Sequence, residues 1–121
     1  MKLLIVDDSQ PVRQFFRRLL AAVTTDVQEC DDGASALDCY RAFLPDFVLM
    51  DLEMKQVNGL QATSQILSCY PEAKVIIVTN FDDPLLRTQA QAAGARAYVV
   101  KEQMTDLARI LQGLPSSQNL L

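Results

Sequence analysis

Four short apolar runs, each stopped by a polar residue, constrain this chain more than any other feature of it. Leu3-Leu4-Ile5-Val6 runs into Asp7-Asp8, Phe47-Val48-Leu49-Met50 into Asp51, Val75-Ile76-Ile77-Val78 into Thr79, and Tyr98-Val99-Val100 into Lys101. Uninterrupted apolar runs of this length, bounded by polar residues, predict strands buried on both faces, as in a parallel sheet covered by helices. In an open parallel sheet the carboxyl ends of the strands lie along one edge, and ligand sites form there. Asp7, Asp8, Asp51, Thr79 and Lys101 are therefore expected to share one crevice, a donor set suited to a divalent cation and a phosphoryl group.

Helical periodicity fills the intervals. Val12, Phe15, Phe16, Leu19, Leu20 and Val23 follow the spacing of one buried helical face, with Ser9 or Gln10 as cap and Pro11 in the first turn. A weaker strand from Asp26 to Cys30 leads to Gly33 and a helix bearing Leu37, Tyr40 and Leu44 that stops at Pro45. After Asp51 a polar loop reaches Asn58-Gly59, and Leu60, Thr63, Ile66, Leu67 and Tyr70 mark the next helix, stopped by Pro71. Asp83-Pro84 opens a short helix and Gly94 closes it in the left-handed conformation. Met104, Leu107, Ile110, Leu111 and Leu114 outline a last amphipathic helix. Five strands, each followed by a helix, predict an α/β three-layer sandwich around a parallel sheet. The expected domain runs over residues 1–114, and residues 115–121, with Pro115-Ser116-Ser117, have the composition of a tail or the start of a linker.

Composition narrows the function. The 121 residues make one domain with a hydrophobic fraction of 50%, and a net charge of −4 leaves no basic footprint for direct nucleic-acid binding by this segment. Cys30, Cys39 and Cys69 are odd in number and lack a CxxC spacing, which points to reduced thiols and a cytoplasmic setting. The apolar start is cut short by Asp7-Asp8, whereas a secretory core needs roughly 7 to 15 apolar residues. No stretch approaches the ~20 apolar residues of a membrane span. Histidine is absent, so Ser-His-Asp and Cys-His catalysis are excluded, and the chain cannot itself be the phosphate-carrying histidine of a relay.

The strand-end residues have a joint chemistry. Carboxylates ~4 Å apart repel by about 4 kcal/mol at an effective dielectric of ~20, so such a cluster persists only with a cation to neutralise it. Hard oxygen donors with open positions suit Mg2+, which favours one or two carboxylates together with phosphate oxygens. Lys101 can serve as a point charge for phosphoryl oxygens and Thr79 as a neutral donor. Asp51 is left as the nucleophile, since a carboxylate can form an aspartyl-phosphate.

Asp7-Asp8-Ser9, Asp51 after an apolar strand, Thr79, Tyr98 and Lys101 resemble the receiver domain of bacterial two-component response regulators, over essentially the whole chain from Met1 to about Leu114. The resemblance implies a flavodoxin-like fold with strand order 2-1-3-4-5. It implies that a histidine kinase or a histidine phosphotransfer protein donates phosphate to Asp51. It also implies that Asp7, Asp8, Asp51 and the backbone carbonyl of Glu53 hold Mg2+, and that the domain is no enzyme beyond self-phosphorylation from small donors and self-dephosphorylation. Phosphorylation would draw in Thr79 and let Tyr98 turn inward, changing the face of the fourth helix, fifth strand and fifth helix, to which a downstream effector domain or protein would bind. By the same resemblance, Glu53 and Phe81 flank the path of the water that hydrolyses the phosphoryl group.

Three positions depart from the family pattern. Glu102 replaces the usual proline after the lysine, Lys55 stands where proline is frequent, and Asn80 occupies a position usually held by a small residue. None removes a group with chemistry. Two rival readings share the constellation. An aspartate-nucleophile phosphatase would want a second Asp two residues after the first, where this chain has Glu53, and would place its acidic pair last. A receiver-like interaction module not regulated by phosphorylation would not need the intact set of Asp7, Asp8, Asp51, Thr79 and Lys101. No GxGxxG follows any strand, which disfavours a dinucleotide fold.

Overall fold

The computed structural model describes residues 1–54 and 57–113. Strands β1 (Lys2–Val6), β2 (Asp26–Cys30), β3 (Phe47–Asp51), β4 (Val75–Thr79) and β5 (Ala97–Val100) alternate with helices α1 (Gln10–Leu19), α2 (Ala36–Phe43), α3 (Gly59–Cys69), α4 (Pro84–Ala93) and α5 (Asp106–Leu111). All strand pairs are parallel and the order is β2-β1-β3-β4-β5, as expected. The chain thus winds one way from β1 to β2 and the other way from β3 onward. The reversal sits between β1 and β3, where an open α/β sheet forms its ligand crevice.

The apolar runs are buried on both faces because alternate residues serve two cores. Leu4, Val6, Val48, Met50, Ile77 and Tyr98 face one side, with Ala36, Tyr40, Ala62, Ile66 and Ala90 from α2, α3 and α4. Leu3, Ile5, Leu49, Ile76, Val78 and Val99 face the other, with Phe16 and Leu20 and with Leu107, Ile110 and Leu111 of α5. Only β2, at the sheet edge, alternates exposed and half-buried residues, which is why its pattern is weaker in the sequence.

Local signals set most helix ends. Ser9 caps α1 by accepting the Val12 N–H, Asn58 caps α3 through Gln61, and Asp83 caps α4 through Leu85 and Leu86, with Pro84 in the first turn. Gly94 ends α4 at φ 100°, and the Ala95 N–H closes back onto the Ala90 carbonyl. Two ends differ from expectation. The α1 periodicity runs on to Val23, but regular helix stops at Leu19 and Leu20 is buried from a turn. The expected last helix, marked by Met104 to Leu114, is the shorter α5, with a 3-10 turn at Lys101–Gln103 before it; Leu114 and the tail 115–121 lie outside the described residues, as does Lys55. Among the described residues every peptide bond is trans, that between Lys101 and Glu102 included. No described helix is long and apolar enough to cross a membrane.

Candidate phosphoacceptor and metal site

Strand register brings the polar residues to one edge. Val6 pairs with Met50, so Asp7 leaves β1 level with Asp51 at the end of β3. Asp51 pairs with Val78 and Thr79 with Val100, so Thr79 and then Lys101 step up along the same rim. Leu52, just after β3, is tied to the start of α3, where the Gly59 N–H donates to the Leu52 carbonyl. A Cβ on Gly59 would lie 2.1 Å from the Asp51 carbonyl oxygen, so only glycine permits this approach behind the acceptor strand.

Asp7, Asp8 and Asp51 each offer a carboxylate oxygen to one point, all within 4.8 Å of one another. Asp7 and Asp51 are 2% and 6% exposed, and Asp8 opens to solvent. The Lys101 ammonium reaches both buried members, 3.5 Å from Asp7 Oδ2 and 3.8 Å from Asp51 Oδ1. Among the described residues, one ammonium thus lies against two of the three clustered carboxylates. Burial, reinforced by the Asp7 charge, pushes the Asp51 carboxyl up to about 6, while Lys101 and the backbone N–H of Glu53 pull against the rise.

Asp7 is fixed from several sides. Its Oδ1 accepts the Ser9 N–H at 2.8 Å, its own N–H donates to the Cys30 carbonyl, and its carbonyl accepts from Arg13 at 2.6 Å. Its Oδ2 is buried with no hydrogen bond among the described residues, and lies 3.5 Å from the Lys101 ammonium. A buried carboxylate oxygen without a hydrogen bond, beside two further carboxylates, is the donor set that a hard divalent cation satisfies.

Arg13 escaped the sequence reading. Its Nε donates to Glu29 at 2.7 Å and Arg17 donates to the other Glu29 oxygen, so a guanidinium held by β2 supports the strand end bearing the acidic pair. No sequence pattern links an arginine to a backbone carbonyl six residues earlier.

Thr79 is fully buried, and its hydroxyl oxygen accepts the Phe81 N–H at 3.3 Å, which leaves its proton to donate elsewhere. Tyr98 is also fully buried. Its hydroxyl donates to the Phe81 carbonyl at 2.5 Å, so the ring points inward. Asn80 is exposed next to Thr79, Glu53 turns its side chain to solvent, and Phe81 is 50% exposed.

Residues 3–112 match the family model of the response regulator receiver domain. Response regulator GacA of Pseudomonas aeruginosa is 37% identical over 103 residues, covering 84% of this chain and 48% of GacA. Chemotaxis protein CheY of Thermotoga maritima is 31% identical over 101 residues, covering 83% of this chain and 84% of CheY. Among solved structures, a LuxR-family two-component response regulator from Aurantimonas superposes with a TM-score of 0.82 at 31% identity, over 93% of this chain and 86% of that one. The chain spans about half the length of curated relatives such as DegU of Brevibacillus brevis, of which it covers 46%, and GacA. With the sheet order and the match over nearly its whole length, the chain belongs to the response regulator receiver domains of two-component signalling.

Proposed function

We propose that Asp51 accepts a phosphoryl group from a histidine kinase or a histidine phosphotransfer protein, and that this switches partner binding. The observation that carries the reading is the meeting of Asp7, Asp8 and Asp51 with Lys101 in one crevice, with Asp7 Oδ2 buried and unbonded. Asp7, Asp8, Asp51 and the Glu53 carbonyl would hold Mg2+, which when bound supplies positive charge to the phosphoryl oxygens. An Asp51 oxygen forms the new bond to phosphorus as the bond from phosphorus to the donor imidazole nitrogen breaks. Lys101 then exchanges its carboxylate partner for a phosphoryl oxygen, and the Thr79 hydroxyl donates to another.

The α4-β5-α5 face is the proposed effector surface, because Thr79 and Tyr98 both meet Phe81 in the loop leading into α4. Relatives include a LuxR-family protein from Staphylococcus aureus described as a DNA-binding response regulator, 28% identical. We infer that any DNA contact belongs to an effector domain or protein, since this acidic segment has no basic footprint. Residues 1–114 as the receiver unit and a cytoplasmic location complete the reading.

Incubation with a small acyl-phosphate donor should add one phosphoryl mass, labile to hydroxylamine and dependent on Mg2+. Labelling that persists in Asp51→Asn, or is undiminished in chelator, would overturn the assignment. Thr79→Ala should still accept phosphate but respond weakly in its α4-β5-α5 face.

A further inference from the structure

The Tyr98 hydroxyl reaches across 17 residues to the Phe81 carbonyl, and the N–H of the same residue donates to Thr79 Oγ1. Residue 81 is therefore hydrogen-bonded on both sides, and its backbone joins the buried hydroxyl of the crevice to the tyrosine. Arg87, in the first turns of α4, closes this arrangement from outside. Its guanidinium carbon lies 4.6 Å from the Tyr98 ring centroid, Nη1 is 3.5 Å from the Tyr98 carbonyl, and Nη2 is 3.6 Å from the Asp82 carboxylate. The Arg87 side chain is partly exposed while the ring beneath it is fully buried.

We propose that Arg87 is a positioning residue, a latch that holds Tyr98 inward before any phosphorylation and so sets the resting balance of the switch. This deepens the function proposed above and rests on it. The physical cause is twofold. A guanidinium over a ring face is attracted by the ring quadrupole, more so where water is excluded. Asp82 and the Tyr98 carbonyl hold the guanidinium over the ring from two further sides, so little freedom is lost on contact. An outward tyrosine would give up the stacking, the burial of its ring and the bond to Phe81 together. Phosphorylation then works on a population already biased toward the inward state, and the partner face is correspondingly more available at rest.

The test uses the whole chain with tyrosines carbon-13 labelled at the hydroxyl-bearing ring carbon. Tyr40, Tyr70 and Tyr98 give three resonances, that of Tyr98 assigned by Tyr98→Phe. Burial is the main cause that raises the Tyr98 phenol, with Asp83 and Asp82 adding to it, and Arg87 acts in the opposite direction. Removal of the latch and removal of a mere bystander charge therefore have opposite signs. In Arg87→Gln a released ring reaches water and titrates closer to the ordinary phenol range, near ~10. Its relaxation by a soluble paramagnetic agent rises, and the ratio of outward to inward ring grows by between about twofold and thirtyfold, the factor a cation–π contact commands. Arg87→Lys, which keeps charge but not the planar fork, should restore the parent behaviour only in part. A Tyr98 phenol that stays shielded in Arg87→Gln and titrates higher than in the parent would overturn the proposal. Circular dichroism at each pH confirms that the fold is intact. Acyl-phosphate labelling of Asp51 is measured on the same samples: failure of the parent to label defeats the phosphoacceptor reading, and is seen independently of the tyrosine signal.

Discussion

Replacing the acceptor should make the metal-free protein more stable. The Asp51 carboxyl stands at about 6 against an ordinary 3.8, because burial and Asp7 disfavour its charge more than Lys101 favours it. A raised folded-state value means that the native protein holds its proton where the unfolded chain has released it. Stability is therefore unpenalised below pH ~4, falls as pH rises through the interval up to ~6, and stays lowered above it. Each pKa unit corresponds to about 1.4 kcal/mol, so the shift of 2.2 (6 minus 3.8) makes ionised Asp51 a liability of about 3 kcal/mol at pH 7.5. Asp51→Asn keeps the volume, removes this cost and leaves Lys101 to Asp7. We expect urea unfolding in chelator to show Asp51→Asn more stable by about 2 to 3 kcal/mol at pH 7.5, with the gain shrinking toward zero near pH 4. Mg2+ should stabilise the parent at neutral pH far more than the variant. A variant less stable than the parent at pH 7.5, or a gain independent of pH, would refute the electrostatic account.

Gly59→Ala places a methyl group 2.1 Å from the Asp51 carbonyl oxygen, and should cost about 1 to 3 kcal/mol of stability and lower phosphate acceptance, measured by urea unfolding and acyl-phosphate labelling. The thiols should react in the order Cys69, Cys39, Cys30: Cys69 is exposed, whereas burial pushes the Cys30 thiol up to about 12, so mass-resolved alkylation of the native protein should leave Cys30 unmodified until the fold opens. Phe81→Ala should shorten the lifetime of phospho-Asp51 several-fold, about 1 kcal/mol of barrier, if the half-exposed ring hinders the attacking water; unchanged decay after donor removal would count against it.

The crevice was legible because a strand buried on both faces leaves an unmistakable run of apolar residues, and the polar residue that stops the run is the one at the strand end. Asp51, Thr79 and Lys101 could be placed on one edge by that logic alone. What lies in loops was not legible. Nothing in the pattern says that the Tyr98 hydroxyl finds the Phe81 carbonyl, since backbone carbonyls carry no sequence signature, and Arg13 and Arg87 each look like ordinary surface arginines of amphipathic helices. The last helix was overextended for another reason: Met104, Leu107 and Ile110 are three apart, a spacing that suits a 3-10 or an α turn equally well.

The order in which the pocket is encoded bears on how the domain is made. Asp7 and Asp8 follow β1 and Asp51 ends β3, whereas the ammonium that faces them follows β5, an edge strand that is translated after them. A nascent chain with β1, β3 and β4 in place therefore carries concentrated negative charge without the Lys101 ammonium, and until Lys101 docks a proton or a divalent cation from solution can neutralise it. Arrival of β5 and Lys101 adds the edge strand and part of the missing positive charge in a single event, which ties docking of that strand to a competent acceptor. A fragment ending at Val100 should accordingly need acid, Asp51→Asn or millimolar Mg2+ to become compact; equal compactness at neutral pH in chelator, by small-angle scattering, would break this link.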